Sequence, residues 1–113
     1  MKVLVTGSRK WTDYETIYKR LTMLPRDSIV IEGGASGSDT LARTAAFQLG
    51  LARVRIKPKW EIYGRSAGAL RNRAMLDLKP DLVLAFRVAM SSGTTDCIDE
   101  ARMRGIPVEV VDR

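Results

Sequence analysis

Two kinds of hydrophobic pattern alternate along the chain, and together they predict a succession of strands and helices. Short runs that are apolar almost throughout, or that alternate apolar with polar positions, predict strands of a buried parallel sheet. These predicted strands are Lys2–Thr6, Ser28–Glu32, Ala52–Lys57, Asp81–Phe86 and Pro107–Val111. Arginines alternate with Val54 and Ile56 in the third run, which favours a strand at the edge of the sheet.

Helices are predicted between the strands, where apolar residues recur every three or four positions. The first follows Thr12-x-x-Glu15, a capping-box pattern, and ends before Pro25. The remaining helices are predicted over Ser38–Leu49, Ser66–Leu78 and Thr94–Arg104. Gly50 and Gly105 directly follow two of them, and glycine is the usual residue at the left-handed end of a helix.

Strict alternation of strand and helix is typical of an α/β fold with a parallel sheet, right-handed crossovers and helices on both faces. We therefore predict one Rossmann-like, three-layer domain over residues 1–113, with a five-stranded parallel sheet in the order 3-2-1-4-5. Such a sheet binds ligands outside the carboxyl ends of its strands, at the point where the strand order reverses. The loops Gly7–Trp11 and Arg87–Thr95 flank that point.

Composition narrows the chemistry that this domain can perform. The 113 residues suffice for one domain, and they include one cysteine and no histidine. A disulfide within the chain, a Cys/His metal site and a Ser-His-Asp triad are therefore excluded, and we expect neither a metal nor a cofactor. No apolar run is long enough to cross a membrane, and the N-terminal residues lack signal-peptide organisation, so we expect a cytoplasmic protein without membrane contact.

The chain is basic, with 19 lysines and arginines against 13 acidic residues and a net charge of +6. A basic balance favours anionic partners, which include free nucleotides as well as the backbone of nucleic acid. The arginines are scattered along the chain and form no single run, so a solvated surface explains much of the charge.

A glycine-rich loop leads from the second strand into the second helix. It contains Gly33, Gly34, Ser36, Gly37 and Asp39. Glycine allows backbone to come close to a ligand, and free N–H groups at the start of a helix attract anions, so we consider these residues candidates for nucleotide binding. A turn with a helix cap explains them equally well.

The loops after the first and fourth strands repeat this chemistry. Gly7-Ser8-Arg9 supplies an arginine, which can pair with phosphate through two hydrogen bonds. Ser92-Gly93-Thr94-Thr95 supplies hydroxyls and a glycine where a helix is predicted to begin. Either threonine could instead be the N-cap of that helix.

Arg71 and Asn72 lie in a segment that also carries two other arginines. Asparagine is a poor residue for the interior of a helix, so Asn72 favours a role in hydrogen bonding. Trp11 and Trp60 follow predicted strands, where an aromatic ring could stack on a base or could cover the core.

Four motifs in register along the chain resemble the YspA-type SLOG family. They are Gly7-Ser8-Arg9, Gly33-Gly34-Ala35-Ser36-Gly37-Ser38-Asp39, Ala67-Gly68-x-x-Arg71-Asn72-x-x-Met75 and Gly93-Thr94-x-Asp96. This Rossmann-like family is related to the Lonely Guy (LOG) phosphoribohydrolases and to the core of the DNA-processing protein DprA. The resemblance implies a site for a nucleotide or a nucleotide derivative, and dimeric LOG relatives imply a homodimer. We expect Met75, Leu78 and Met103 to lie in the interface of this dimer.

LOG enzymes cleave the N-glycosidic bond of nucleoside 5′-monophosphates, and the resemblance to their P-G-G-x-G-T-x-x-E motif falls on residues 89–97. Only Gly93 and Thr94 match it strictly. Cys97 stands in the place of the glutamate, with Asp96 beside it. If the chain is a hydrolase of this kind, Arg71 and Asp96 are its candidate catalytic residues.

The sequence is therefore consistent with two main functions. The first is a binding protein, a sensor or carrier, that holds a nucleotide without converting it; the loss of most of the LOG motif favours this function. The second is a LOG-like hydrolase, which needs one well-placed carboxylate and no histidine. DNA binding is a third hypothesis, based on the net charge and the kinship to DprA.

Overall fold

The computed structural model describes residues 1–89 and 91–113. Its strands are β1 (Lys2–Gly7), β2 (Ile29–Glu32), β3 (Ala52–Arg55), β4 (Leu82–Arg87) and β5 (Val108–Asp112). Its α-helices are α1 (Tyr14–Thr22), α2 (Ser38–Gln48), α3 (Trp60–Tyr63), α4 (Ala67–Asp77) and α5 (Ser92–Met103). A short 3-10 turn, Gly64–Ser66, joins α3 to α4.

The five strands form one parallel sheet in the order β3-β2-β1-β4-β5, as predicted. Strand β1 is central, because Val3 aligns with Val30 of β2 on one side and with Leu82 of β4 on the other. Strand order reverses between β1 and β4, so the loops that follow these two strands diverge to opposite faces of the sheet and leave a crevice between them.

Helices cover both faces of the sheet, which makes the three predicted layers. Successive residues of a strand point to opposite faces, and in β1 Val3 and Val5 pack under α1 and α2 while Leu4 packs under α4 and α5. All three are fully buried. Burying one such side chain contributes about 1.5–3 kcal/mol, so the uniformly apolar central strands hold the two helical layers together.

Strand β3 lies at the edge of the sheet, as its alternating arginines predict. The guanidinium of Arg53 lies 4.8 Å from the centre of the exposed Phe47 ring. Arg55 instead pairs with Glu32, whose carboxylate is fully buried and 2.7 Å from the arginine Nε. The edge strand is therefore attached to β2 by charge as well as by backbone hydrogen bonds.

Three local predictions were wrong in detail. The cap of α1 is Asp13, whose carboxylate accepts hydrogen bonds from the backbone and hydroxyl of Thr16, so the capping pair lies one residue beyond the predicted Thr12 and Glu15. A carboxylate is the stronger acceptor, and Asp13 is also held by Arg113. The segment before α4 contains the short helix α3, which no hydrophobic periodicity indicates.

The second wrong prediction concerns the start of α5, which begins at Ser92 and not at Thr94. Asp96 consequently lies in the second turn of that helix, beyond the reach of the strongest helix-dipole effect. The third concerns Met75, which was expected on an exposed face, whereas it is 2% exposed and belongs to the core beneath α4 and α5.

Candidate functional site

A cleft of about 870 Å³ opens at the carboxyl ends of β1 and β4, at the predicted reversal of strand order. This volume lies within the usual range for small-molecule sites. The loop after β1, the start of α4 and the start of α5 form its walls. Its lining includes Gly7, Ser8, Arg9, Asp39, Trp60, Arg71, Asn72, Ser92, Gly93, Thr94 and Asp96, all of which the sequence singled out.

Several predicted residues lie outside the lining of this cleft. They are Gly33, Gly34, Ser36, Gly37, Thr95 and Trp11. Sequence reasoning in turn missed Lys10 and Arg65, two exposed cations that line the cleft. Arg65 precedes α4 in a segment without a clear hydrophobic pattern, so only its charge could have indicated it. Met90, which falls within the motif similar to that of LOG enzymes, lies outside the described residues.

Trp11 is buried in the core and is therefore not part of the candidate site. It is 1% exposed, its indole packs edge-on against Phe86, and its N–H donates to the backbone carbonyl of Asp13 over 2.8 Å. A ring enclosed in this way has no free face for a base. Trp60 differs, since its side chain is 48% exposed and lies beside Gly68 at the wall of the cleft.

The start of α5 presents backbone donors to the cleft. Its N-cap is Ser91, and neither Ser91 nor any acidic residue of the first turn caps the free N–H groups. The first N–H groups of a helix have no partner within the helix, so those of Ser92, Gly93 and Thr94 are available to an anion. The Thr94 hydroxyl faces Ser91 at 3.2 Å, which draws the two side chains of this loop together.

Arg71, Asn72 and Asp96 form a hydrogen-bonded chain between α4 and α5. The Arg71 guanidinium donates through Nε to the Asn72 side-chain oxygen over 3.0 Å and through Nη1 to the Gly33 carbonyl over 2.5 Å. The Asn72 amide donates to Asp96 over 3.1 Å and to the Gly93 carbonyl over 3.2 Å. Because two of its nitrogens are engaged, the guanidinium is held in one orientation at the cleft wall while its third nitrogen can still donate to a ligand.

The glycine-rich loop positions the other loops of the site. Gly37 has φ +75° and packs directly against the backbone of Ser8 and Arg9, and the Ser38 N–H donates to the Ser8 carbonyl over 3.2 Å. Gly33 lies under the Arg71 guanidinium, and a Cβ there would clash with the arginine Nη1, so a side chain at this position would displace the guanidinium. These glycines are therefore explained by close contacts within the protein.

Asp39 is the buried acid of the cleft, with 5% of its surface exposed. Its carboxylate accepts hydrogen bonds from the backbone N–H groups of Gly33 and Ala35, at 3.1 and 3.2 Å. Burial raises the pKa of Asp39 to about 6, and the charge of Glu32 adds to this rise, although the hydrogen bonds and Arg71 oppose it. The Asp39 carboxyl therefore titrates near neutral pH while it organises the loop.

The charge of the cleft favours an anion. Arg9, Lys10, Arg65 and Arg71 contribute four cations to its lining, against the two carboxylates of Asp39 and Asp96. Asp96 is further balanced by Arg73, whose guanidinium lies 3.9 Å away. In the described part of the chain no carboxylate forms an ion pair with Arg9, Lys10 or Arg65.

The described residues were also searched for a second ligand cavity, a metal centre and a membrane-spanning helix. A second cavity, of about 550 Å³, lies between the ends of α1 and α2 and is lined mainly by leucines with Arg26 as its one charged group. Across residues 1–89 and 91–113 no group of three or more potential metal ligands comes together. Within the same residues no helix has the length and apolar character needed to span a bilayer.

Comparisons with known proteins agree with this architecture. The family model described as "YspA, cpYpsA-related SLOG family" matches residues 1–63. The Gene 61 protein of Mycobacterium phage D29 is 37% identical over 116 residues, which cover 95% of this chain and 93% of that protein. The X-ray structure of DNA processing protein A (DprA) from Streptococcus pneumoniae superposes with a TM-score of 0.63 at 18% identity.

The superposition covers 96% of this chain and 58% of the DprA chain, so this protein spans little more than half of that one, and at this identity the likeness shows the fold alone. The relationship at the level of sequence is firmer, because the family model covers more than half of the chain and the phage protein is similar over almost all of it. The chain belongs to the YspA, cpYpsA-related SLOG family.

Proposed function

We propose that the cleft binds a nucleotide or a nucleotide-derived ligand and that the protein acts as a sensor or carrier of it. The observation that carries this proposal is the meeting of Arg71 with the uncapped start of α5 across a basic cleft. A fixed guanidinium and a set of free backbone N–H groups at a helix start both bind phosphate in proteins.

The remaining lining suits the rest of a nucleotide. Trp60 offers one exposed ring face at the wall of the cleft, where a base can stack. Arg9 and Lys10 lie on the opposite loop and supply further charge for a second phosphate or a ribose. In this arrangement Ser92, Gly93 and Thr94 hold the phosphate and Trp60 holds the base.

Binding is favoured over cleavage because the carboxyl groups near the phosphate site are already engaged. Asp96 accepts a hydrogen bond from Asn72 and pairs with Arg73, while Asp39 holds two backbone N–H groups. Cys97, which stands where a LOG enzyme has its glutamate, is fully buried, and burial raises the pKa of its thiol to about 12. No free carboxylate is thus positioned to stabilise a sugar cation among these residues.

The decisive experiment is calorimetric titration of the protein with nucleoside 5′-monophosphates, the matching nucleosides and ribose 5-phosphate. We expect a nucleotide to bind more tightly than either of its parts, since phosphate and base have separate contacts. Binding of the nucleoside with no gain from phosphate would contradict the proposed site. Failure of every nucleotide and derivative to bind would contradict the function.

We also propose that the protein is a homodimer whose interface includes Leu78 and Met103 but not the buried Met75. Leu78 is 37% and Met103 is 82% exposed. The two lie at neighbouring helix ends, which the ion pair of Arg104 with Asp77 holds together at 2.7 Å. Light scattering at tens of micromolar checks this proposal, and Met103→Glu should yield the monomer because it places a charge in the face.

A further inference from the structure

An exposed aromatic and basic segment adjoins the cleft and extends beyond Trp60 and Arg65, the two of its residues that line the cleft. It comprises residues 57–65, here called the rim. Within it Trp60, Ile62 and Tyr63 are 48%, 65% and 49% exposed. Three large apolar side chains with this much exposure within four residues are unusual on a protein surface and mark a site of interaction.

The rim is strongly basic. Lys57, Lys59 and Arg65 are exposed, and Glu61 is its one acidic residue. Trp60 and Tyr63 are three residues apart in α3, so their rings lie on the same side of the helix. The two aromatic rings are thus flanked in sequence by Lys57 and Lys59 on one side and by Arg65 on the other.

The rim is continuous with the cleft through Trp60 and Arg65. Lys57 lies outside the lining of the cleft and packs its methylene groups over Gly34 of the glycine-rich loop, where an added Cβ would lie 3.2 Å from the lysine Cγ. Trp60 packs over Gly68, where an added Cβ would lie 3.6 Å from the indole ring, and both Trp60 and Arg65 line the cleft. A chain-like ligand that leaves the cleft therefore passes directly onto the rim.

We propose that the rim binds single-stranded nucleic acid, one nucleotide of which occupies the cleft. The base of the cleft nucleotide stacks on Trp60 and the next unpaired base stacks on Tyr63, while Lys57, Lys59 and Arg65 contact the phosphates of the strand. This combination of stacking aromatics with a basic track is how proteins bind single strands without sequence preference. The proposal rests on the proposed function, because it identifies the cleft nucleotide as part of a strand.

Charge argues against a second copy of the chain as the occupant of the rim. In a two-fold dimer the same surface meets itself, so three cations would face three cations with one glutamate on each side to offset them. A duplex is also disfavoured, since its bases are stacked on each other and offer no faces to Trp60 and Tyr63. A single strand offers phosphates to the three cations and unstacked bases to the two aromatic rings.

The test measures fluorescence anisotropy with 3′-fluorescein-labelled deoxythymidine and deoxyadenosine strands about ten nucleotides long. The variants are Tyr63→Ala and the pair Lys57→Glu with Lys59→Glu, none of which lines the cleft. Matched controls are Phe47→Ala, an exposed aromatic on α2 beside Arg53, and Lys79→Glu, an exposed lysine in another loop. Thermal melting verifies that all variants fold.

We expect wild type to bind a strand at least tenfold more tightly than the mononucleotide. Tyr63→Ala should weaken strand binding about tenfold, the scale of one lost stacking contact, and the lysine pair should weaken it further. Neither change should alter mononucleotide affinity, and the controls should alter neither affinity more than twofold.

The two proposals fail separately. A strand that binds no more tightly than the mononucleotide, or controls that weaken it as much as the rim variants do, would overturn the rim proposal and leave the proposed function standing. Strand binding that depends on Tyr63 and the lysines, but not on Arg71, would support the rim and overturn the cleft as the nucleotide site.

Discussion

The side-chain amide of Asn72 donates a hydrogen bond to the carboxylate of Asp96 over 3.1 Å and so joins α4 to α5 at the floor of the cleft. The same amide reaches the Gly93 carbonyl, and the Asn72 oxygen accepts from Arg71. One buried side chain therefore fixes both the guanidinium and the helix start that we propose as phosphate ligands.

Asn72→Ala should lower both stability and affinity. The change leaves the Asp96 carboxylate and the Arg71 Nε without this partner at partly buried positions, which costs about 1 kcal/mol of unfolding free energy. Urea denaturation measures the loss, and calorimetry should show weaker nucleotide binding in the variant. Arg102→Ala, an exposed change on α5, is the control and should stay within about 0.5 kcal/mol of wild type. Equal effects of the two changes would contradict the bridging role of Asn72.

Arg71→Ala should weaken nucleotide binding tenfold or more and leave the fold intact. A hydrogen bond to a charged group contributes about 1.5–3 kcal/mol, and Arg71 lines the cleft. Arg73→Ala is the matched control, because Arg73 lies two residues further along α4, outside the lining, and contacts Asp96 and Glu100. Calorimetric affinities that fall equally in both variants would indicate loss of general charge and not of a phosphate ligand.

Gly37→Ala should disrupt the cleft more than its backbone conformation alone explains. Gly37 and Gly50 have nearly the same positive φ, +75° and +73°, so alanine is strained at both positions. The ψ of Gly37, −129°, lies outside the left-handed helical region, which adds to the strain there. Around Gly50 the space is open, whereas a Cβ at Gly37 would meet the Arg9 carbonyl at 2.5 Å. Weaker nucleotide binding in Gly37→Ala, with unchanged binding in Gly50→Ala, measures the contact between the two loops, and urea denaturation records the accompanying loss of stability. Identical losses at the two glycines would contradict it.

The sheet could be predicted from sequence because its strands are apolar on both faces and its helices are periodic. β1 and β4 read as buried strands without ambiguity, and once five strands alternate with helices, the right-handed crossover rule leaves few strand orders. The short helix α3 could not be predicted, since four residues show no period. The first residues of α1 and α5 could not be predicted, because several neighbouring residues can cap each helix. Which of them does so depends on tertiary contacts such as the one between Asp13 and Arg113.

The candidate site was predictable as a set of loops and not as a set of contacts. Loops that follow parallel strands end at one edge of the sheet, so the convergence of Ser8 and Gly93 follows from topology alone. Arg71 lies within α4, and its place in the cleft depends on how that helix packs. Whether a given glycine faces a ligand or another loop is decided by packing, which sequence does not encode locally. Trp11 illustrates this limit, because its position after β1 fits a ligand wall and its burial makes it a core residue.

The stability of the protein should depend on pH through Asp39. Its pKa is raised to about 6 in the folded state, so the folded protein holds a proton that the unfolded chain, near 3.8, has released. The resulting stabilisation is complete below pH 4 and is lost as pH rises towards 7, by at most about 3 kcal/mol. Asp39→Asn lacks this titration, and its side-chain oxygen can still accept from Gly33 and Ala35. Relative to this variant, wild type should lose stability between pH 4 and 7 in urea titrations. Parallel pH curves for the two proteins would contradict the raised pKa of Asp39.

The choice between binding and cleavage depends on Asp96, and we expect no release of free base from any nucleoside 5′-monophosphate. A developing sugar cation needs an available ionised carboxylate, but Asp96 is engaged by Asn72 and balanced by Arg73. Incubation with each monophosphate, followed by chromatography, detects the base. If base appears, the LOG-like reaction is present, and Asp96→Asn should then bind nucleotide normally yet lose about a hundredfold or more of the rate, the scale of one charge-stabilising group. An active wild type with an equally active Asp96→Asn would instead assign the reaction to Asp39, the other carboxyl group in the lining of the cleft.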